Sequence, residues 1–124
     1  MIKLLIAGFL SLMLVGCGTA IEIQVVNRST GQPVTAGAVN FAHYFSFTLC
    51  DLSGTLDEQG IASMNVDLEE MRRYPMGVIA PGFSPEEHGP EWKTSWKAFL
   101  DALAHPTTPK PPNRWVEYVV PIAP

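Results

Sequence analysis

Three histidines, twelve carboxylates and two cysteines are the side chains of this 124-residue chain best suited to acid–base, metal or nucleophilic chemistry. His43, His88 and His105 are far apart, and none forms the short ligand pair that zinc sites commonly use. His43 stands next to Tyr44 and shortly before Cys50 and Asp51, so an acid–base or metal role for His43 with Cys50 or Asp51 is one reading. An exposed or hydrogen-bonded histidine on a strand is the plainer one, with Tyr44 on the opposite face. The acidic pairs Glu69-Glu70 and Glu86-Glu87 are expected to be solvated surface charges. No nucleophile, base and oxyanion donor cluster in the sequence, so the chain is expected to be non-enzymatic, without a metal or other cofactor. Trp92, Trp96 and Trp115 form the most notable apolar group. They either pack an element onto the core or present an aromatic surface to a glycan, peptide or partner protein, as such side chains often do at interfaces.

The elements that would position these groups follow from hydrophobic periodicity. Ile21, Ile23 and Val25 alternate with Glu22 and Gln24, which predicts a half-buried strand. Further strands are expected over residues 38–49, 61–68, 76–80 and 115–122, separated by turn chemistry at 28–33, 57–60 and 81–82. Strands at this spacing indicate an antiparallel sandwich. Between Gly89 and Ala104 the period changes. Trp92, Trp96, Phe99, Leu100 and Leu103 recur at helical spacing behind Pro90, which suits a first helical position. An amphipathic helix is therefore expected, inserted between the last two strands, with a proline-rich connection over 105–112 leading back to the sheet. All prolines but Pro33 lie from Pro75 onward, so the irregular connections belong to the second half of the chain.

An apolar fraction of 47% and a charged fraction of 16% suit a folded domain with a modest core. The net charge of −4 and the scattered basic residues exclude a nucleic-acid footprint. Cys50 lies in an apolar run with Phe45, Phe47 and Leu49, and is expected to be a small buried core residue, with a reactive or intermolecular thiol as the alternative.

The first residues have the anatomy of an export signal. Lys3 supplies positive charge, and an apolar stretch over 4–15 is too short to cross a bilayer comfortably. It ends in Leu14-Val15-Gly16-Cys17, which resembles the lipobox of bacterial lipoproteins. That resemblance implies a signal peptide over 1–16, lipidation of Cys17 (palmitate included) and a short tether over 17–20. Gly18 in place of Asp favours the outer over the inner membrane. The mature chain would then hold Cys50 as its one free thiol, with no intramolecular disulfide. An uncleaved membrane helix, or a secretory signal cut after Ala20, is the alternative reading of the same stretch.

Three further segments resemble the carboxypeptidase regulatory-like domains, a branch of the transthyretin-like and collagen-adhesin B-type sandwiches. Val25-Val26-Asn27 through Thr30-Gly31-Gln32-Pro33-Val34 to Gly37-Ala38-Val39 is similar to the family's opening strand, Thr-Gly-x-Pro turn and following strand. Thr55 through Asp57 to Gly60-Ile61-Ala62 is similar to its Thr-Asp-x-x-Gly element, and Tyr74 through Val78 and Ala80 to Gly82-Phe83 to its Tyr-x-Val-x-Ala-x-Gly-Tyr strand and corner. The resemblance implies a mainly β, seven-stranded Ig-like or transthyretin-like sandwich over 21–122, with residues 84–113 as an insertion outside the family pattern. Catalytic features of neighbouring families are missing from the sequence, including a terminal Tyr-Arg-Gly-Ser, a paired Tyr/His iron set and a first-strand lysine for an isopeptide.

The expected function is that of a membrane-anchored lipoprotein of the bacterial cell envelope, facing the periplasm or the surface. It would be a non-enzymatic binding or structural module whose partner is an envelope protein or polysaccharide. A small hydrolase or metal-dependent activity at His43 and nearby acidic residues is the alternative.

Overall fold

Alternation along the first strand decides where the core lies. In the computed structural model, which describes residues 18–41, 50–105 and 113–122, strand β1 (Thr19–Asn27) turns Ile21, Ile23 and Val25 fully inward and leaves Glu22 and Gln24 half-exposed. Strand β4 (Ile61–Val66) pairs antiparallel with one edge of β1, from Thr19 opposite Val66 to Gln24 opposite Ile61. The other edge of β1 pairs parallel with β7 (Arg114–Pro121), which places Val25 opposite Glu117. A short β6 (Phe83–Pro85) then pairs antiparallel with β7, giving a sheet of order β4-β1-β7-β6. The second sheet has order β3-β2-β5, built from β3 (Ser53–Thr55), β2 (Ala38–Phe41) and β5 (Met76–Ile79). Val39 and Phe41 of the second sheet join Ile21, Ile23 and Val25 of the first in one apolar cluster. The chain is thus mainly β, with seven strands in two sheets and two helices among the described residues.

The helix expected over 90–104 is present as α2 (Pro90–Ala104), with Pro90 in the first turn and Trp96 and Leu100 buried. The expected strand over 61–68 is corrected at its end. Asp67 stops β4 after Val66 and caps a helix α1 (Leu68–Arg73), its side chain accepting a hydrogen bond from the Glu69 amide at 3.0 Å. Glu69 and Glu70 lie in the first turn of α1 and Arg72 and Arg73 in the last, which suits the helix dipole. With six residues, α1 is too short for helical periodicity to show. Of the expected strand over 38–49, β2 accounts for Ala38–Phe41, and residues 42–49, His43 among them, lie outside the described residues.

The expected turns form. Asp57 Oδ1 accepts hydrogen bonds from the amides of Gln59 and Ile61 at 2.8 and 2.9 Å, and Gly60 follows at φ 76°. Gly37 carries the tightest backbone approach. Its φ is 136°, and a Cβ there would lie 2.1 Å from the Ile79 carbonyl oxygen of the neighbouring strand. Gly37→Ala is expected to cost about 1–3 kcal/mol for the strained backbone alone, and more for the displaced strand. Gly31→Ala is the control, since φ is 74° there but open space surrounds the position. Urea midpoints should fall clearly more for the first than for the second.

Candidate functional site

The inward positions of β7 are Trp115, Glu117 and Val119, set by alternation along the strand. A carboxyl group at such a position must find donors, because an unpaired buried polar group is costly. Glu117 is 4% exposed and has three. The indole N–H groups of Trp92 and Trp115 donate to Oε1 at 2.8 and 3.1 Å, and His88 Nε2 lies 2.5 Å from Oε2. Val25 of β1 backs this position across the parallel ladder.

Helix α2 brings the aromatic rings to Glu117. Trp92 and Trp96 are one helical turn apart and stack with centroids 5.6 Å apart, and the His88 ring covers Trp92 at 3.7 Å. Trp115 meets Trp92 and Trp96 edge-on at 5.6 and 5.0 Å. Trp96 also stacks with Phe99 at 5.5 Å and with Phe41 of the second sheet at 6.0 Å. Its indole N–H reaches the Met71 carbonyl of α1 at 3.4 Å. The three tryptophans singled out in the sequence therefore form a single cluster. Trp96 is buried, while Trp92 and Trp115 are half-buried. Sequence reasoning missed Glu117 and His88. The available signal was a carboxylate on the inward face of a strand, two residues from a tryptophan.

The His88–Trp92 stack separates two clefts. The larger, about 580 Å³, runs between α1 and α2 and is lined by Arg72, Arg73, Tyr74, Lys93, Trp96 and Lys97 among others. The smaller, about 250 Å³, lies on the side of Arg28, Glu86, Glu87 and Glu91. In it the Arg28 guanidinium bridges both Glu86 oxygens at 2.7 and 3.0 Å and lies 3.7 Å over the Tyr118 ring. The hydrogen bond from Arg28 holds the Glu86 carboxyl below its ordinary range, and the same contact raises the Arg28 guanidinium.

The acidic pairs are corrected accordingly. Glu69 and Glu87 are exposed, but Glu86 is half-buried in its pair with Arg28, and Glu70 has one buried oxygen without a hydrogen-bond partner. Cys50 is also corrected. It is half-buried and disulfide-bonded rather than a lone core thiol. The Asp51 amide donates to the Asn65 carbonyl at 2.8 Å, which sets Cys50 beside the end of β4. Cys17, the other cysteine of the sequence, lies outside the described residues, as does His43. His105 is exposed at the end of α2 and apart from the cluster.

Chemically, the arrangement supplies a histidine held by a carboxyl group, the half of a hydrolytic triad that positions a base. Both Glu117 oxygens are committed to side chains of the cluster. No group of three or more His, Cys, Asp or Glu side chains that could hold a metal occurs among the described residues. No helix among them is long and apolar enough to cross a membrane. No family model, curated protein or solved structure matches the chain.

Proposed function

We propose that this chain is a non-enzymatic binding module of the bacterial cell envelope, held on an extracytoplasmic membrane face by lipid on Cys17. The observation that carries the binding reading is the cleft between α1 and α2. Its volume lies within the range of small-molecule sites, and it joins aromatic side chains to a cationic rim. The non-enzymatic reading rests on Glu117, whose acceptors are used within the aromatic cluster. The anchor reading rests on Lys3, the apolar stretch and Leu14-Val15-Gly16-Cys17. β1 begins two residues after Cys17, and a tether of that length reaches about 7 Å. The domain would therefore sit against the headgroups, on the outer membrane if Gly18 directs sorting. A transthyretin-like or Ig-like sandwich is the finer architecture we propose, supported by seven strands in two sheets around one core and by positive φ at Gly31, Gly60 and Gly82.

A second reading has a specific observation behind it. The sulfur of Cys17 can carry a diacylglycerol thioether or a disulfide, but not both, and Cys50 is disulfide-bonded in a chain with two cysteines. On that reading the protein is exported and crosslinked without lipid. Labelled-palmitate incorporation separates the two. The lipoprotein reading expects label in the wild type, and loss of label with retention of a larger precursor in Cys17→Ser. Equal label in both, or no label in either, would remove it. The second reading expects no label, together with a gel shift on reduction.

A further inference from the structure

Charge in the cleft between α1 and α2 runs against the charge of the chain. The net charge is −4, yet four of the eight lysines and arginines line this one cleft, and no Asp or Glu does. Arg72 is satisfied by Asp101 at 2.6 Å and by Glu69 at 3.6 Å. Arg73, Lys93 and Lys97 are exposed and have no ion pair among the described residues. Lys93 and Lys97 are four apart on α2, so they share a face and repel each other unless a counter-charge lies between them and the cleft. Below this rim the surface is apolar, formed by Trp92, Trp96 and Tyr74. The faces of Trp92 are taken by His88 and Trp96, which leaves ring edges rather than a flat platform for a sugar to stack on.

We propose that this cleft binds an amphiphilic organic anion, with a phosphate or carboxylate head at Arg73, Lys93 and Lys97 and an apolar chain along the aromatic floor. From Lys93 to Leu100 the helix rises about 10 Å, a length suited to a medium alkyl chain. The proposal rests on the binding reading of the cleft and is independent of the Cys17 anchor.

The test uses the full chain in phosphatidylcholine nanodiscs, with tryptophan emission as the readout because two indoles line the cleft. The probes are octyl phosphate, octyl glucoside and inorganic phosphate, each as a monomer. Octyl phosphate is expected to give a saturable change that is at least tenfold weaker in the Arg73→Gln/Lys93→Gln/Lys97→Gln variant and weakens as salt rises. The three positions are exposed, so the unfolding midpoint of that variant should match the wild type, and the salt titration of the wild type gives an independent readout. Octyl glucoside binding as tightly as octyl phosphate would overturn the anion assignment while leaving the cleft a binding site. Inorganic phosphate binding equally well would overturn the amphiphile. No saturable change with any probe would overturn the binding reading itself.

Discussion

Glu117→Ala is expected to destabilise the fold by about 2–6 kcal/mol, at about 1–3 kcal/mol for each of two indole N–H donors left without an acceptor. The substitution strands two indole N–H groups and a histidine nitrogen that now converge on one carboxyl group. Glu117, Trp92 and Trp115 line the smaller cleft, so water entering from that side can satisfy part of what the substitution strands, and the loss should fall in the lower half of that range. Glu117→Gln keeps an acceptor for the indoles and should cost only about 1–2 kcal/mol. Urea unfolding followed by far-UV circular dichroism distinguishes these outcomes. A further check is a cycle with Trp115→Phe, which removes one of the donors. The double variant with Glu117→Ala should lose less than the sum of the single losses, because the two groups satisfy each other. Near-neutral stability for Glu117→Ala would mean that the carboxyl group is dispensable to the fold and is kept for chemistry.

Trp96→Ala is expected to cost a similar amount, about 3–5 kcal/mol, for a different reason. Trp96 is 6% exposed and touches elements that are otherwise joined mainly through the core. It meets Phe41 on β2 of one sheet, Trp115 on β7 of the other, Phe99 on its own helix, and the Met71 carbonyl on α1. Its removal leaves a cavity bordered by rigid rings that cannot collapse into it, and such cavities fall at the costly end of the range. Trp96→Phe keeps a ring in place and gives up the indole N–H and part of the stack, so its loss should be about half as large or less. The measurement is the free energy of unfolding. Unchanged stability in Trp96→Ala would remove α2 as a structural element and make the tryptophan face a surface for something else.

The two substitutions divide between them what could be read in advance. Trp96 was visible as part of a helical stripe, because residues three and four apart share a face whatever the rest of the chain does. Glu117 was not singled out, although its strand was. A strand pattern tells which side a residue faces but not which side chains wait there, and two of the three partners of Glu117 come from 25 and 29 residues away. The short elements were missed for a related reason. β3, β6 and α1 span three to six residues, and each is held by neighbours rather than by its own periodicity. The segment after Val66 did carry a local signal, Asp67 followed by acidic and then basic residues. The apolar Leu68 let it be read as more strand.

The sequence by itself determined the alternation of β1, the turns at Gly31 and Gly60, and the extent of α2 from Pro90 to Ala104. All of these depend on interactions within a few residues. Periodicity sets faces, proline starts a helix, and glycine alone accepts a positive φ cheaply. Only the tertiary structure decided that Val25 stands opposite Glu117, that His88 and Trp92 both reach Glu117, and that Arg72 and Arg73 face Lys93 and Lys97 across a cleft. These meetings are fixed by the parallel register of β1 with β7 and by the docking of α2 against α1, through contacts between segments that no local pattern connects.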